Sequence, residues 1–152
     1  MPKTIGEKII CQNKKAYHDY FIIEEYECGI VLTGTEIKSV RLGHVNLQDS
    51  YCQIKNGEMF IYGMHISHYE KGNIFNHNTD AVRKLLLHKK EILKLSNKII
   101  KEGFTLIPLR VVIRDSLAKV DIAIAKGKKL YDKREDLKKK EDERKIERFM
   151  KN

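Results

Sequence analysis

Hydrophobic and polar positions change their period several times along the chain, and each change marks an element. Residues 17–32, YHDYFIIEEYECGIVL, are rich in the aromatic and β-branched side chains that suit a pleated, half-buried surface. From Tyr20 onward neither parity is cleanly apolar. A central strand over 20–32 is therefore expected to carry a bulge or bend near 24–28, eased by Gly29. In TGTEIKSVRLG the spacing turns helical, with Thr35 as the possible cap, Ile37 and Val40 on one side, and Gly43 as the stop. That helix, over 35–42, would leave Glu36, Lys38 and Ser39 more exposed and bring only the stem of Arg41 to the core edge. Residues 44–50 read as a loop or extended link. Asn56-Gly57 then separates two extended runs, 51–55 and 59–62, which is a strong hairpin signal.

Beyond the hairpin, residues 63–80 read as a long loop of the kind that often carries function. Its Lys71, Asn73, Asn76 and His77 could cover nucleic acid. Residues 81–102 predict a short strand at Leu85–Leu87 and then an amphipathic helix from about His88 to Lys101, stopped by Gly103; one helix throughout is the alternative. Residues 104–113 predict a strand that Pro108 makes an edge or bulged one. After a turn at Asp115-Ser116, residues 119–126 alternate, with Val120, Ile122 and Ile124 inward and Lys119, Asp121 and Ala123 outward. The sum is a mainly β domain of about six strands and two or three helices, half of it a small barrel or sandwich. Residues 1–16 read as a lead-in, with Ile9 and Ile10 clipped to the core.

Charge changes the picture at the end of the chain. Thirty Lys and Arg against 21 Asp and Glu give +9, which favours a polyanionic partner. Residues 126–152 alone hold twelve Lys/Arg and seven Asp/Glu, for a net +5. They carry too few apolar side chains for a core. Ile146, Phe149 and Met150 would share one side of a helix, so this tail is either a solvated end or an arm that orders on an anionic partner. Two parts follow: a domain over 1–130 and a basic tail over 131–152. The three cysteines, Cys11, Cys28 and Cys52, are odd in number and widely spaced, which fits a reducing cytoplasm rather than a disulfide framework. No stretch has the length and apolarity of a signal core or a membrane span.

Candidate chemistry points away from catalysis. Glu24, Glu25, Glu27 and Glu36 could hold a metal as in a nuclease, but no His or Asp ligands cluster with them, and the expected use is pairing with local Lys and Arg or a solvated position. His65, His68 and His77 match no zinc spacing, so no metal and no cofactor are expected. A mixture of basic, aromatic and hydrogen-bonding groups at 13–20 and again around Gly127 and Tyr131 is what an irregular RNA surface accepts. A ribosomal protein or a general single-strand binder would show the same mixture.

Five segments, in order and spacing, resemble the SsrA-binding protein (small protein B) family: NKKAYHDYFI at 13–22, YECGIVLTGTEIKSVRLGHVNLQDSY at 26–51, GMHISHY at 63–69, RKLLLHKKEI at 83–92 and VDIAIAKGKKLYDKRED at 120–136. The resemblance implies an oligonucleotide-binding-type barrel, closed or partly closed, and a tail that is disordered alone and helical when bound. It implies a non-catalytic, cytoplasmic, monomeric adaptor that grips the tRNA-like domain of transfer-messenger RNA. The tail would enter the mRNA channel near the decoding centre of a stalled ribosome, and elongation factor Tu would share the delivery. Carried over by motif, the RNA-binding residues are Asn13, Lys14, His18, Tyr20, Glu27, Leu86, Lys128 and Lys129. Those facing the ribosome are Tyr131, Asp132, Lys133, Arg134, Lys138, Ile146, Phe149 and Met150. Thr79 and Ala81 stand where many members have Pro and Arg, which implies a less rigid loop with one phosphate contact fewer.

Overall fold

A computed structural model describes residues 7–71 and 76–128. From residue 7 onward the lead-in forms elements of its own. Its apolar patch forms β1 (Lys8–Gln12), which pairs antiparallel with β8 (Thr105–Arg114), and α1 (Lys14–Asp19) follows at once. The long aromatic run is β2 (Tyr20–Ile30), and the expected break in its ladder falls between Ile22 and Glu24. The Asn56-Gly57 turn joins β4 (Tyr51–Lys55) to β5 (Glu58–Tyr62), both turn residues having the positive φ that a two-residue hairpin requires. Residues 81–102 resolve as a strand and a helix, β7 (Arg83–Leu86) and α3 (Lys89–Glu102), and α3 stops at Gly103. β9 (Leu117–Gly127) runs back along β8 from the Asp115-Ser116 turn. A small ribbon of β3 (Val45–Asn46) and β6 (His65–Ile66) stands apart.

Seven strands form one antiparallel sheet in the order β1-β8-β9-β2-β7-β5-β4. It curls until β4 lies against β8 with no ladder between them, giving a partly closed barrel. The interior holds Cys28, Val40, Met59, Ile61, Leu85, Leu95, Val120, Ile122 and Ile124. Cys28 and Cys52 are buried as small hydrophobes, and burial pushes the Cys28 thiol up to about 12.

Three expectations are corrected. The short helix α2 (Gly34–Arg41) is capped by Thr33, not Thr35, through a capping box in which Thr33 and Glu36 satisfy each other's backbone N–H. Glu36 and Ser39, expected outside, are buried. Glu36 tolerates this because it pairs with Arg83. Burial alone would raise its pKa, but the Thr33 N–H and the Arg83 guanidinium hold it below the usual carboxylate range. Asp121 and Ala123, expected outside, are also buried. The reason for Ala123 is a second apolar layer on the outer side of the sheet, where Ala16 of α1 packs with Ile107, Leu109, Ala123 and Ala125; Asp121 is instead engaged by Arg110 and Arg114. β8 is correspondingly an interior strand. Its bulge lies between Pro108 and Arg110, just past the end of β1, where Pro108 pairs with Ile122 of β9 and its carbonyl accepts from the Asn13 side chain.

Candidate nucleic-acid interface

The outer layer begins with Asn13. Its backbone N–H donates to Leu109 O at 2.7 Å and its side-chain amide donates to Pro108 O at 3.0 Å, clipping the chain to β8 just before α1. Ala16 then meets Ala123 and Ala125, and small side chains on both partners let the helix lie close to the sheet. This arrangement leaves Lys14, Lys15, Tyr17 and His18 exposed. His18 Nδ1 sits 3.0 Å from Asp19. Tyr20 lines a cleft of about 250 Å³ with Asn13, Ala16, Asp49 and Tyr51.

From α1 an ion network crosses the face. Arg110 donates to Tyr17 Oη at 3.1 Å, to Glu25 at 2.7 Å and to Asp121 at 2.8 Å. Arg114 forms a two-pronged pair with Asp121 at 2.8 and 3.0 Å. It also donates to Glu27 at 2.9 Å and to Glu7 at 3.1 Å. The Asp121 bond, with Glu7 and Glu27 near, holds the Arg114 pKa well above its ordinary value against the effect of burial. For Arg110, burial pulls down, but Asp121, Tyr17 and Glu25 outweigh it. Both guanidiniums are therefore fixed cations inside the network.

Past Glu27 the face ends in a second cleft, of about 400 Å³, lined by Glu27, Gly29, Leu86, His88, Glu91 and Lys119. Leu86 is 49% exposed and lies on Gly29, so close that a Cβ there would come within 3.3 Å of Leu86 Cβ. Asn13, Lys14, His18 and Tyr20 thus gather around α1, while Glu27 and Leu86 share a cleft at the other end of the network. Lys128 returns to the α1 corner: its N–H donates to Asp19 O at 2.8 Å and its Nζ lies 4.7 Å from the Phe21 ring centre. Lys129, Tyr131, Asp132, Lys133, Arg134, Lys138, Ile146, Phe149 and Met150 lie outside the described residues, as does Asn73.

The acids expected to pair with local bases pair instead with bases far away in sequence: Glu24 with Lys98, Glu25 with Arg110, Glu27 with Arg114 and Glu36 with Arg83. Among the described residues no group of His, Cys, Asp and Glu is placed to hold a metal ion, and no helix is long and apolar enough to cross a membrane. His65 pairs with Asp80 at 2.9 Å. His77 is buried, its Nε2 donating to Ile66 O at 2.9 Å and its Nδ1 meeting the Thr35 hydroxyl at 2.9 Å. The Thr79–Ala81 turn is held by its own bonds: Asp80 N–H on Asn78 Oδ1 at 3.0 Å, and Arg83 on the Asn78 and Thr79 carbonyls, each at 3.1 Å.

Tyr17, Arg110, Arg114 and Asp121 were not singled out by sequence. A signal existed. Counting outward from the two-residue Asp115-Ser116 turn puts Arg110 opposite Asp121 and Arg114 on the same side four pairs away. The part of Tyr17 depends on where α1 docks, which no local pattern specifies.

Comparison with known proteins places these features in a family context. A family model described as SmpB protein matches residues 10–152. An SsrA-binding protein of Enterococcus faecalis is 59% identical over 152 residues, covering 100% of this chain and 98% of that protein. One from Geotalea uraniireducens is 58% identical over 142 residues, covering 93% of this chain and 94% of its own. A solved structure described as "tmRNA-SmpB: a journey to the center of the bacterial ribosome" superposes with a TM-score of 0.66 at 42% identity, covering 79% of this chain and 85% of that one.

Proposed function

The chain belongs to the SmpB protein family, and on that premise we propose that it is an RNA-binding adaptor for transfer-messenger RNA in trans-translation, the rescue of stalled ribosomes. The single observation that carries the reading is the near full-length identity with SsrA-binding proteins. The outer face supports it independently. That face combines exposed Lys14, Lys15 and His18 with Tyr20, Glu27 and Leu86, a mixture suited to phosphates, bases and ribose together. In this reading residues 1–130 are the RNA-binding domain, which grips the tRNA-like domain of the RNA. Residues 131–152 are the ribosomal arm, which enters the mRNA channel near the decoding centre, with Tyr131, Asp132, Lys133 and Arg134 leading. The protein is cytoplasmic, monomeric and without catalysis of its own, and elongation factor Tu takes part in delivery. Asn13 has a double duty: its amide holds α1 on β8, so its effect on RNA runs partly through the helix it fixes.

The test is binding of the purified protein to the tRNA-like domain, a mature elongator tRNA and an unrelated hairpin at two salt concentrations. Strong preference for the tRNA-like domain is expected. Deleting residues 131–152 should spare that affinity and abolish rescue in a stalled-translation assay. Equal binding to all three RNAs, lost alike at higher salt, would reduce the protein to a generic basic binder.

A further inference from the structure

The centre of the RNA face is acidic although the chain is basic. The network sets four carboxylates, Glu7, Glu25, Glu27 and Asp121, against two guanidiniums. Asp121 is the member that fixes the rest. It is 5% exposed, and both its oxygens are occupied: Oδ1 by Arg114, Oδ2 by Arg110 and Arg114. The two-pronged bond sets the plane of the Arg114 guanidinium, and that plane decides where the N–H facing Glu27 points. The bond to Arg110 does the same for Glu25 and for the Tyr17 hydroxyl on α1. One buried carboxylate therefore sets both ends of the face.

We propose that Asp121 is a positioning residue for RNA selection: through Arg110 and Arg114 it holds Glu25 and Glu27 as an acidic centre that turns away phosphate and accepts base amino or imino groups. The inference rests on the RNA-adaptor reading. A carboxylate repels the backbone of any RNA equally, so the centre cannot add general affinity. It can discriminate, because only an RNA that presents unstacked base donors there offsets the repulsion, while Lys14, Lys15 and Lys119 meet phosphates at the rim. Like-charge rejection of wrong partners is the expected use of an acidic patch inside a basic surface.

The experiment uses the full chain and measures binding of wild type, D121N, E27Q, the D121N/E27Q double variant and R114K to the tRNA-like domain and to an unrelated hairpin, across a salt series, with melting curves for each. D121N is expected to lose about tenfold in preference for the tRNA-like domain. Part of that loss comes from tighter binding to the hairpin, with a steeper salt slope, as the centre becomes less acidic. E27Q should weaken cognate binding in wild type and matter little in D121N, because Glu27 is no longer placed. R114K keeps the charge but not the fork, and should repeat the loss of preference with little change in melting temperature. Equal weakening on both RNAs with unchanged salt slopes, or additive effects of D121N and E27Q, would overturn the inference while leaving the adaptor reading intact. A wild type with no preference between the two RNAs would overturn both.

Discussion

Removing either partner of the Glu36–Arg83 pair should cost far more than any surface ion pair of this protein. The side chains are 5% and 3% exposed. Arg83 spends its remaining donors on Met64 O at 2.5 Å and on the Asn78 and Thr79 carbonyls at 3.1 Å each, so it ties α2, β7 and the loop after β6 into one unit. Breaking a buried pair by deleting one ion costs about 3–5 kcal/mol. Glu36→Ala belongs near the lower end, because the three carbonyls still face the stranded guanidinium. Arg83→Met belongs near the upper end, because it strands a carboxylate and three acceptors, each unsatisfied acceptor costing about 1–3 kcal/mol. At about 2–4 °C per kcal/mol, either variant should melt roughly 10 °C below wild type. The double variant Glu36→Leu/Arg83→Met should be less destabilised than Arg83→Met alone, since no buried charge is left unpaired. The pH dependence follows from the depressed Glu36 pKa. Its stabilising contribution is complete above the unfolded value of about 4.3 and is lost as pH falls through the lower folded value. Glu36→Gln should therefore show a flatter acid limb than wild type. Urea titrations followed by far-ultraviolet circular dichroism measure all of this. Single variants within about 1 kcal/mol of wild type would refute the reasoning, as would a double variant worse than Arg83→Met.

Two further outcomes are expected. Gly63→Ala should destabilise by more than about 2 kcal/mol by chemical denaturation, because φ is +75° and the new Cβ would stand 2.9 Å from Asp49 O and 3.2 Å from Ser50 Cα, backbone atoms that cannot swing aside. Asn13→Ala should lower stability by about 1 kcal/mol through the lost bond to Pro108 O, and should weaken RNA binding as α1 loosens; unchanged affinity in a filter-binding titration would show that the clip is irrelevant to the face.

Much of the fold was legible because its signals are local. The Asn56-Gly57 turn, the strand-then-helix reading of 81–102 and the inward row of Val120, Ile122 and Ile124 each depend on neighbours in sequence. What failed depends on distant partners. Glu36 looks like a solvent residue until Arg83, 47 positions away, supplies its charge. Ala123 looks outward until Ala16 covers it from the other end of the chain. The six residues of α1 are too few to show a period, and the structure gives its cap no side-chain bond to predict. Of the candidate site, the family motifs named Asn13, Lys14, His18, Tyr20, Glu27 and Leu86. The arginines and aspartate that join these positions sit inside a β-strand pattern, where they read as ordinary alternation.

The bond from Lys128 N–H to Asp19 O ties the end of β9 to the end of α1. β9 also carries Asp121, the buried carboxylate on which Arg110 and Arg114 converge. One strand is thus a common rail for the helix at one corner and for the ion network across the face, so a force that pulls on the end of β9 is felt at both.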